Sequence, residues 1–179
     1  MPTYVAFLRA VNVGKRQMTM AHLREHLSDN GFAEVETHIA SGNLRVTTPL
    51  RSATTVAKQL HDVISEEFGF DVPVVVRTTA DLRKATTEVD ERPSPLSADA
   101  RVYVAFLDGL PDPAGATALD AWDREGERAA VHDDHVILWL DVPSHSATLS
   151  NARIEKLTGR VSTTRDLKVV RALAEKWEA

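Results

Sequence analysis

The pentapeptide Tyr4-Val5-Ala6-Phe7-Leu8 recurs without change as Tyr103-Val104-Ala105-Phe106-Leu107. Both copies are apolar at nearly every position, a pattern typical of strands that are buried on both faces. Such an internal repeat indicates a fold of two similar halves if the same elements follow each copy.

The segment after the first copy predicts two helices and three further strands. Polar caps and glycines mark the ends of the helices, and a β-branched run marks the last strand. The order β-α-β-β-α-β is that of a ferredoxin-like unit. The elements are a helix capped by Thr19 and ended by Gly31, a hairpin that turns at Ser41-Gly42-Asn43, a helix capped by Ser52 and closed by Gly69, and a strand over 72–77.

The segment after the second copy repeats this order and adds a closing helix. We therefore predict an α+β protein of two ferredoxin-like halves packed together, with an appended C-terminal helix. The proline-containing segment 90–95 is the expected connection, so the halves are 1–90 and 91–179. The elements predicted after the second copy are a helix over 113–124, a hairpin over 128–141, a helix over 149–157, a short strand over 160–163 and a helix through Trp177.

Composition narrows the classes of function. The 179 residues include no cysteine, which excludes disulfides and thiolate metal sites, and the net charge of −5 argues against nucleic acid as a partner. No apolar run approaches the roughly 18 residues of a membrane span, and the start Met1-Pro2-Thr3-Tyr4 lacks the basic residues of a signal peptide. We expect a cytoplasmic protein that does not bind membranes.

A candidate anion site lies around the turn Gly14-Lys15-Arg16, which follows a strand and precedes a helix. Backbone N–H groups, a helix N-terminus and two cations favour an anion, although a solvated glycine turn explains the same residues equally well. Arg9 ends an otherwise apolar strand, so its guanidinium needs a partner or a ligand. The sequence does not establish whether Arg9 lies near the turn Ser41-Gly42-Asn43.

Two groups of histidines are candidate metal ligands. His22-Leu23-Arg24-Glu25-His26 matches the H-x-x-E-H pattern of a zinc protease, with the histidines one helical turn apart. The same residues also suit the solvent face of a short amphipathic helix, which is the favoured interpretation. His132 and His135 flank an Asp-Asp turn and are interpreted as a solvated hairpin tip.

The motifs taken together resemble the bacterial domain-of-unknown-function family 1697. The resemblance implies an α+β protein with ferredoxin-like halves and no established activity. It marks Arg9, Asn12, Gly14, Ser41, Gly42, Asn43 and Arg165, whereas Ala10, Lys15, Asp166 and Leu167 depart from the family pattern. It rests on the segments 4–14, Met20-Ala21-His22-Leu23-Arg24, Gly31-Phe32, Ser41-Gly42-Asn43, 70–77 and Thr163-Thr164-Arg165-Asp166.

Our leading hypothesis is a protein that binds a small anionic molecule without a cofactor or a metal. Whether it is an enzyme stays open, because the sequence offers no general base at this surface. The alternative is a non-catalytic interaction module or homodimer, since the doubly apolar strands need cover, and a zinc hydrolase through His22, Glu25 and His26 is a remote alternative. The predicted ligand-binding residues are Arg9, Asn12, Gly14, Lys15, Ser41, Asn43 and Arg165.

Overall fold

A computed structural model describes residues 1–178 and confirms the α+β class. These residues form two antiparallel sheets and six α-helices, in two compact units. Unit 1 comprises Met1–Thr79 and the C-terminal residues from Trp177, and unit 2 comprises Ala80–Lys176. No helix within 1–178 is long and apolar enough to cross a bilayer.

Unit 1 is a four-stranded sheet with order β2-β3-β1-β4, and all of its neighbouring strands are antiparallel. The predicted caps form, because Thr19 Oγ1 accepts from His22 N at 3.2 Å and Ser52 Oγ accepts from Thr55 N at 3.3 Å. The elements are β1 (Thr3–Leu8), α1 (Met20–Asp29), β2 (Ala33–His38), β3 (Asn43–Thr47), α2 (Ala53–Phe68) and β4 (Val74–Arg77).

The core of unit 1 lies between this sheet and its two helices. The helices contribute residues at helical spacing and the strands contribute every second residue, as each periodicity requires. Burial of these side chains is what holds the loops at the end of the sheet in place. The fully buried members are Ala6, Leu23, Leu27, Leu44, Val46, Val56, Leu60, Ile64 and Val72.

Unit 2 is a five-stranded antiparallel sheet with order β6-β7-β8-β5-β9. The helix α3 (Thr79–Asp90) starts where the two units divide, whereas the sequence placed the boundary at its end. The other elements are β5 (Arg101–Leu107), α4 (Pro113–Asp120), β6 (Asp123–Arg124), β7 (Glu127–His132), β8 (His135–Leu140), α5 (Asn151–Thr158), β9 (Ser162–Asp166) and α6 (Leu167–Lys176).

The repeated pentapeptide forms the same pairs in both units. Phe7 lies opposite Asn43 and Val75, and Phe106 lies opposite His135 and Thr163. Each copy is thus a strand between two antiparallel neighbours, and all five of its residues are buried, as expected for a strand that is covered on both faces.

Two predicted elements of unit 2 are corrected. The helix predicted over 113–124 ends at Asp120, because a tight turn at Gly126, with φ of +74°, pairs Asp123–Arg124 with β7. The last strand runs from Ser162 to Asp166 rather than over 160–163, because pairing with β5 extends it through polar residues. Arg165 therefore lies within a strand and not at the start of the closing helix.

Candidate functional site

Three chain segments meet at one end of the unit 1 sheet. Leu8 N donates to Gly42 O at 2.8 Å, which joins the end of β1 to the β2–β3 turn. Arg9 N donates to Pro73 O at 3.0 Å, which joins it to the start of β4. The loop after β1 and the Ser41-Gly42-Asn43 turn therefore converge, a point that the sequence left open. We call residues 9–18 and 39–43 the loop end of unit 1.

Gly42 makes this approach sterically possible. Its φ of +82° is in the left-handed region, and a Cβ atom built on it would lie 2.8 Å from Leu8 Cβ and from Val11 Cγ2. Any side chain would push the turn away from the loop. The glycine is thus required for the two segments of the loop end to touch.

Asn12 and Asn43 hold the loop end through their side chains. Asn12 Oδ1 accepts from Met18 N at 2.9 Å, and Asn12 Nδ2 donates to Ala40 O at 2.8 Å, which links the two segments. Asn43 is fully buried, and its Nδ2 donates to His38 O and to Ser41 Oγ, each at 3.0 Å. Both amides support the backbone of the predicted site.

The loop after β1 has an unusual backbone. Ala10, Asn12 and Gly14 have φ of +57°, +55° and +56°, so every second residue is left-handed. A turn closes between Val13 and Arg16, where Arg16 N donates to Val13 O at 3.1 Å. Gly14 and Lys15 lie at the exposed tip of this turn, where their main chain is accessible to a ligand.

The side chains of the loop end are strongly cationic. Burial, and then the charge of Arg16, lower the pKa of the half-buried Arg9. Arg16 Nη1 donates to Asp71 O at 3.1 Å, and its guanidinium lies 5.5 Å from the centre of the Phe70 ring. With the exposed Lys15, two arginines and a lysine are therefore gathered on one loop of unit 1.

Arg165 belongs to unit 2, where it lies in β9 opposite Val104. Its Nη1 donates to Thr163 Oγ1 at 2.8 Å and to Thr164 O at 3.0 Å, and burial lowers its pKa to about 10. The residue of unit 1 that matches Arg165 is Arg77 of β4, which lies opposite Val5. It was not singled out from the sequence. Aligning the two pentapeptides and their partner strands would have found it.

The residues of the zinc-protease pattern contact a carboxylate from α2. His22 Nε2 lies 2.7 Å from Glu67 Oε1, and His26 Nδ1 lies 3.6 Å from Glu67 Oε2, whereas Glu25 is exposed. Within residues 1–178, no three histidine, aspartate or glutamate side chains are arranged to hold a metal ion. The sequence predicted this second helix, but it did not indicate that the helix brings Glu67 to the histidines.

The interpretation of His132 and His135 as a solvated hairpin tip is wrong. His135 is 4% exposed, and its Nε2 lies 2.7 Å from Glu88 Oε2 of α3. The His132 ring stacks on that of His135, with centroids 5.8 Å apart, and burial lowers the pKa of His132. The tip is covered because α3 packs on it. The sequence did not indicate this, since α3 and the hairpin are far apart in the chain.

The fold and the loop end define a class, an α+β protein of two sheet-and-helix units with a cationic loop. The family model for DUF1697, described as a protein of unknown function, matches residues 1–137. The chain therefore belongs to this family, as the resemblance of its motifs implied.

One solved structure is similar to the chain over nearly its whole length. It is the conserved bacterial protein SP0830 from Streptococcus pneumoniae, which shares 22% sequence identity with a TM-score of 0.72 over 99% of this chain and 98% of that one. At this identity the likeness concerns the fold alone. No curated protein matches the chain.

Proposed function

We propose that the protein binds a small anion, such as a phosphate or a carboxylate, at the loop end of unit 1. The observation that carries the proposal is the convergence of two segments through the Asn12–Ala40 and Leu8–Gly42 hydrogen bonds. These bonds hold the loop that carries Arg9, Lys15 and Arg16 beside the Ser41-Gly42-Asn43 turn.

The charges of this loop favour an anion over a cation or a neutral ligand. Partial burial and the charge of Arg16 both disfavour the charged form of Arg9 and lower its pKa. A bound anion neutralises both guanidinium groups and accepts charge-assisted hydrogen bonds from them. In this arrangement Asn12, Gly42 and Asn43 position the loop, and Lys15 and Ser41 complete the binding surface.

We also assign each unit to the ferredoxin-like class. The order β2-β3-β1-β4 in unit 1 and the order β7-β8-β5-β9 within unit 2 support this assignment, since both follow from a β-α-β-β-α-β chain. The candidate anion site would then lie at the end of the first central strand, beside the hairpin turn.

Isothermal titration of the full chain with inorganic phosphate, pyrophosphate and citrate tests the proposal. We expect saturable binding to the wild type, and a loss of about tenfold or more in affinity for Arg9→Gln and for Arg16→Gln. Arg51→Gln is the matched control, because Arg51 is exposed and follows β3 at its other end. No saturable binding at millimolar concentration, or an equal loss in Arg51→Gln, contradicts the proposal.

Self-association is the second candidate function, favoured by two exposed apolar side chains. Val13 and Ile39 are 54% and 53% exposed, and they lie on the two segments that Asn12 joins. Sedimentation equilibrium of wild type and of Val13→Ser/Ile39→Ser distinguishes this candidate. A dimer that dissociates in the double variant supports it, and a monomeric wild type contradicts it.

A further inference from the structure

A cleft of about 340 Å³ opens in unit 2, and no residue of the loop end of unit 1 lines it. Its apolar lining comes from Trp122 and Trp139 and from Pro93 and Pro95 of the segment after α3. Ala129 and Ala130 also line the cleft. The volume is within the usual range of small-molecule sites.

The two tryptophans are held in place by contacts outside the cleft. Trp139 is 3% exposed and belongs to a buried cluster with Val89 and Ile137. Trp122 Nε1 donates to Glu127 Oε2 at 3.2 Å. Because these contacts are made within the protein itself, they fix the positions of the two tryptophans, which lowers the entropic cost of binding.

Opposite charges line the same cleft without neutralising each other. Within residues 1–178 the Arg92 guanidinium makes no hydrogen bond and no ion pair, although Asp120 also lines the cleft. Asp120 Oδ1 accepts from Val131 N at 2.7 Å, which orients the carboxylate and leaves its other oxygen as an acceptor. Arg128 is different, because its guanidinium donates to Arg124 O and Glu127 O and pairs with Asp123.

We propose that this cleft binds an aromatic α-amino acid or a closely similar aromatic zwitterion. The carboxylate of the ligand pairs with Arg92, its ammonium group pairs with Asp120, and its ring packs against Trp122 and Trp139. Charged groups of both signs on the ligand can pair with both Arg92 and Asp120, which a simple anion or cation cannot do. The aromatic walls suit a planar ring.

Titration of the full chain with L-phenylalanine tests this proposal, with binding followed by calorimetry and by tryptophan fluorescence. Two probes matched in their ring lack one charge each, namely 3-phenylpropionate without the ammonium group and phenethylamine without the carboxylate. We expect phenylalanine to bind about tenfold or more tightly than either probe. Equal affinity for either probe, or tighter binding of adenosine monophosphate, would overturn the proposal.

Two conservative variants assign each charge. Arg92→Gln should abolish the preference for phenylalanine over phenethylamine, and Asp120→Asn should abolish the preference over phenylpropionate while keeping the hydrogen bond from Val131. Arg153→Gln is the control, since Arg153 is an exposed arginine of unit 2 outside the cleft. Preferences that survive both variants, or no saturable binding by a folded wild type, contradict the site. These outcomes are independent of phosphate binding in unit 1.

Discussion

The two units share their strand pairing and differ in the charge at the end of the repeated strand. In unit 1, Leu8 N donates to Gly42 O, and in unit 2, Leu107 N donates to Asp134 O at 2.8 Å. The next residue along the chain is Arg9 in unit 1 and Asp108 in unit 2. The same backbone thus presents a cationic loop in one unit and carboxylates in the other. The scaffold sets where a site can form, and the loop residues decide its chemistry.

The matching buried polar residues extend this comparison. Asn43 and His135 both lie opposite the phenylalanine of the repeat, at the start of a central strand. Asn43 bonds to its own turn, which stabilises the loop end, whereas His135 lies against Glu88 of a helix. One position therefore supports a local turn in unit 1 and a distant contact in unit 2.

Replacement of Gly42 should have the largest effect. We expect Gly42→Ala to reduce the free energy of unfolding by about 4 kcal/mol, through left-handed strain and contact with Leu8 and Val11. Asp134→Ala at the matching position of unit 2 should cost less than about 1 kcal/mol. Urea unfolding followed by circular dichroism measures both, and a cost in Gly42→Ala as small as that in Asp134→Ala would contradict the close approach.

Glu127 should be the next most costly residue to change, and it belongs to unit 2 alone. Its carboxylate accepts from Thr148 N at 2.7 Å, from Thr148 Oγ1 at 2.6 Å, from Trp122 Nε1 and from Leu149 N. Glu127→Gln should cost about 3 kcal/mol at neutral pH, because donors are left without a charged acceptor. The strand of unit 1 that matches β7 is β2, which begins with Ala33 and not with a glutamate. We therefore expect no loss of stability in unit 1 from the same kind of change.

The same residue predicts how stability depends on pH. Burial raises the pKa of Glu127, but the hydrogen bonds from Thr148, Trp122 and Leu149 outweigh burial and hold the pKa below its usual range. Its contribution is therefore present above the ordinary glutamate pKa and is lost as pH falls through the lower, folded-state value. Acid titration of unfolding midpoints should show this loss in the wild type and a smaller loss in Glu127→Gln. Identical acid profiles would contradict it.

The features that the sequence predicted depend on residues that lie close together in the chain. The features that it missed depend on contacts between residues that are distant in sequence. The helices of unit 1 were predicted because Thr19 and Ser52 are caps of local origin. The extent of β9 was missed, since its residues are polar and only pairing with β5 makes them a strand. The cleft of unit 2 was missed because Arg92, Asp120 and Trp139 come from separate elements, and no local pattern connects them.

A smaller effect is expected at Asn12, which tests whether the loop end of unit 1 depends on its side-chain bridge. Asn12→Ala removes the hydrogen bonds to Ala40 O and from Met18 N, and places alanine at a left-handed φ, for a cost of about 2 kcal/mol. Its phosphate affinity should fall although no charge is lost. In unit 2, Asp108 follows the repeated strand at the position of Arg9 and accepts a hydrogen bond from Val161 N at 3.0 Å, so Asp108→Ala should cost about 1 kcal/mol and leave phosphate binding unchanged. Unchanged phosphate affinity in Asn12→Ala would show that the bridge does not position the site.

The smallest expected effect is on the pKa of His132, which stacks on His135 in unit 2. In unit 1 the residue that matches His135 is Asn43, which has no ring to stack. Burial is the main cause that lowers the pKa of His132, while the charge of Glu88 raises it and the charge of Arg92 lowers it further. Arg92→Gln should therefore raise the pKa of His132, and Glu88→Gln should lower it, which NMR titration of the imidazole signals measures. Shifts of the opposite sign would contradict the positions of Arg92 and Glu88 relative to the His132 ring. Shifts of the expected sign would show that the charge of Arg92, which lines the cleft, is sensed at the ring of His132.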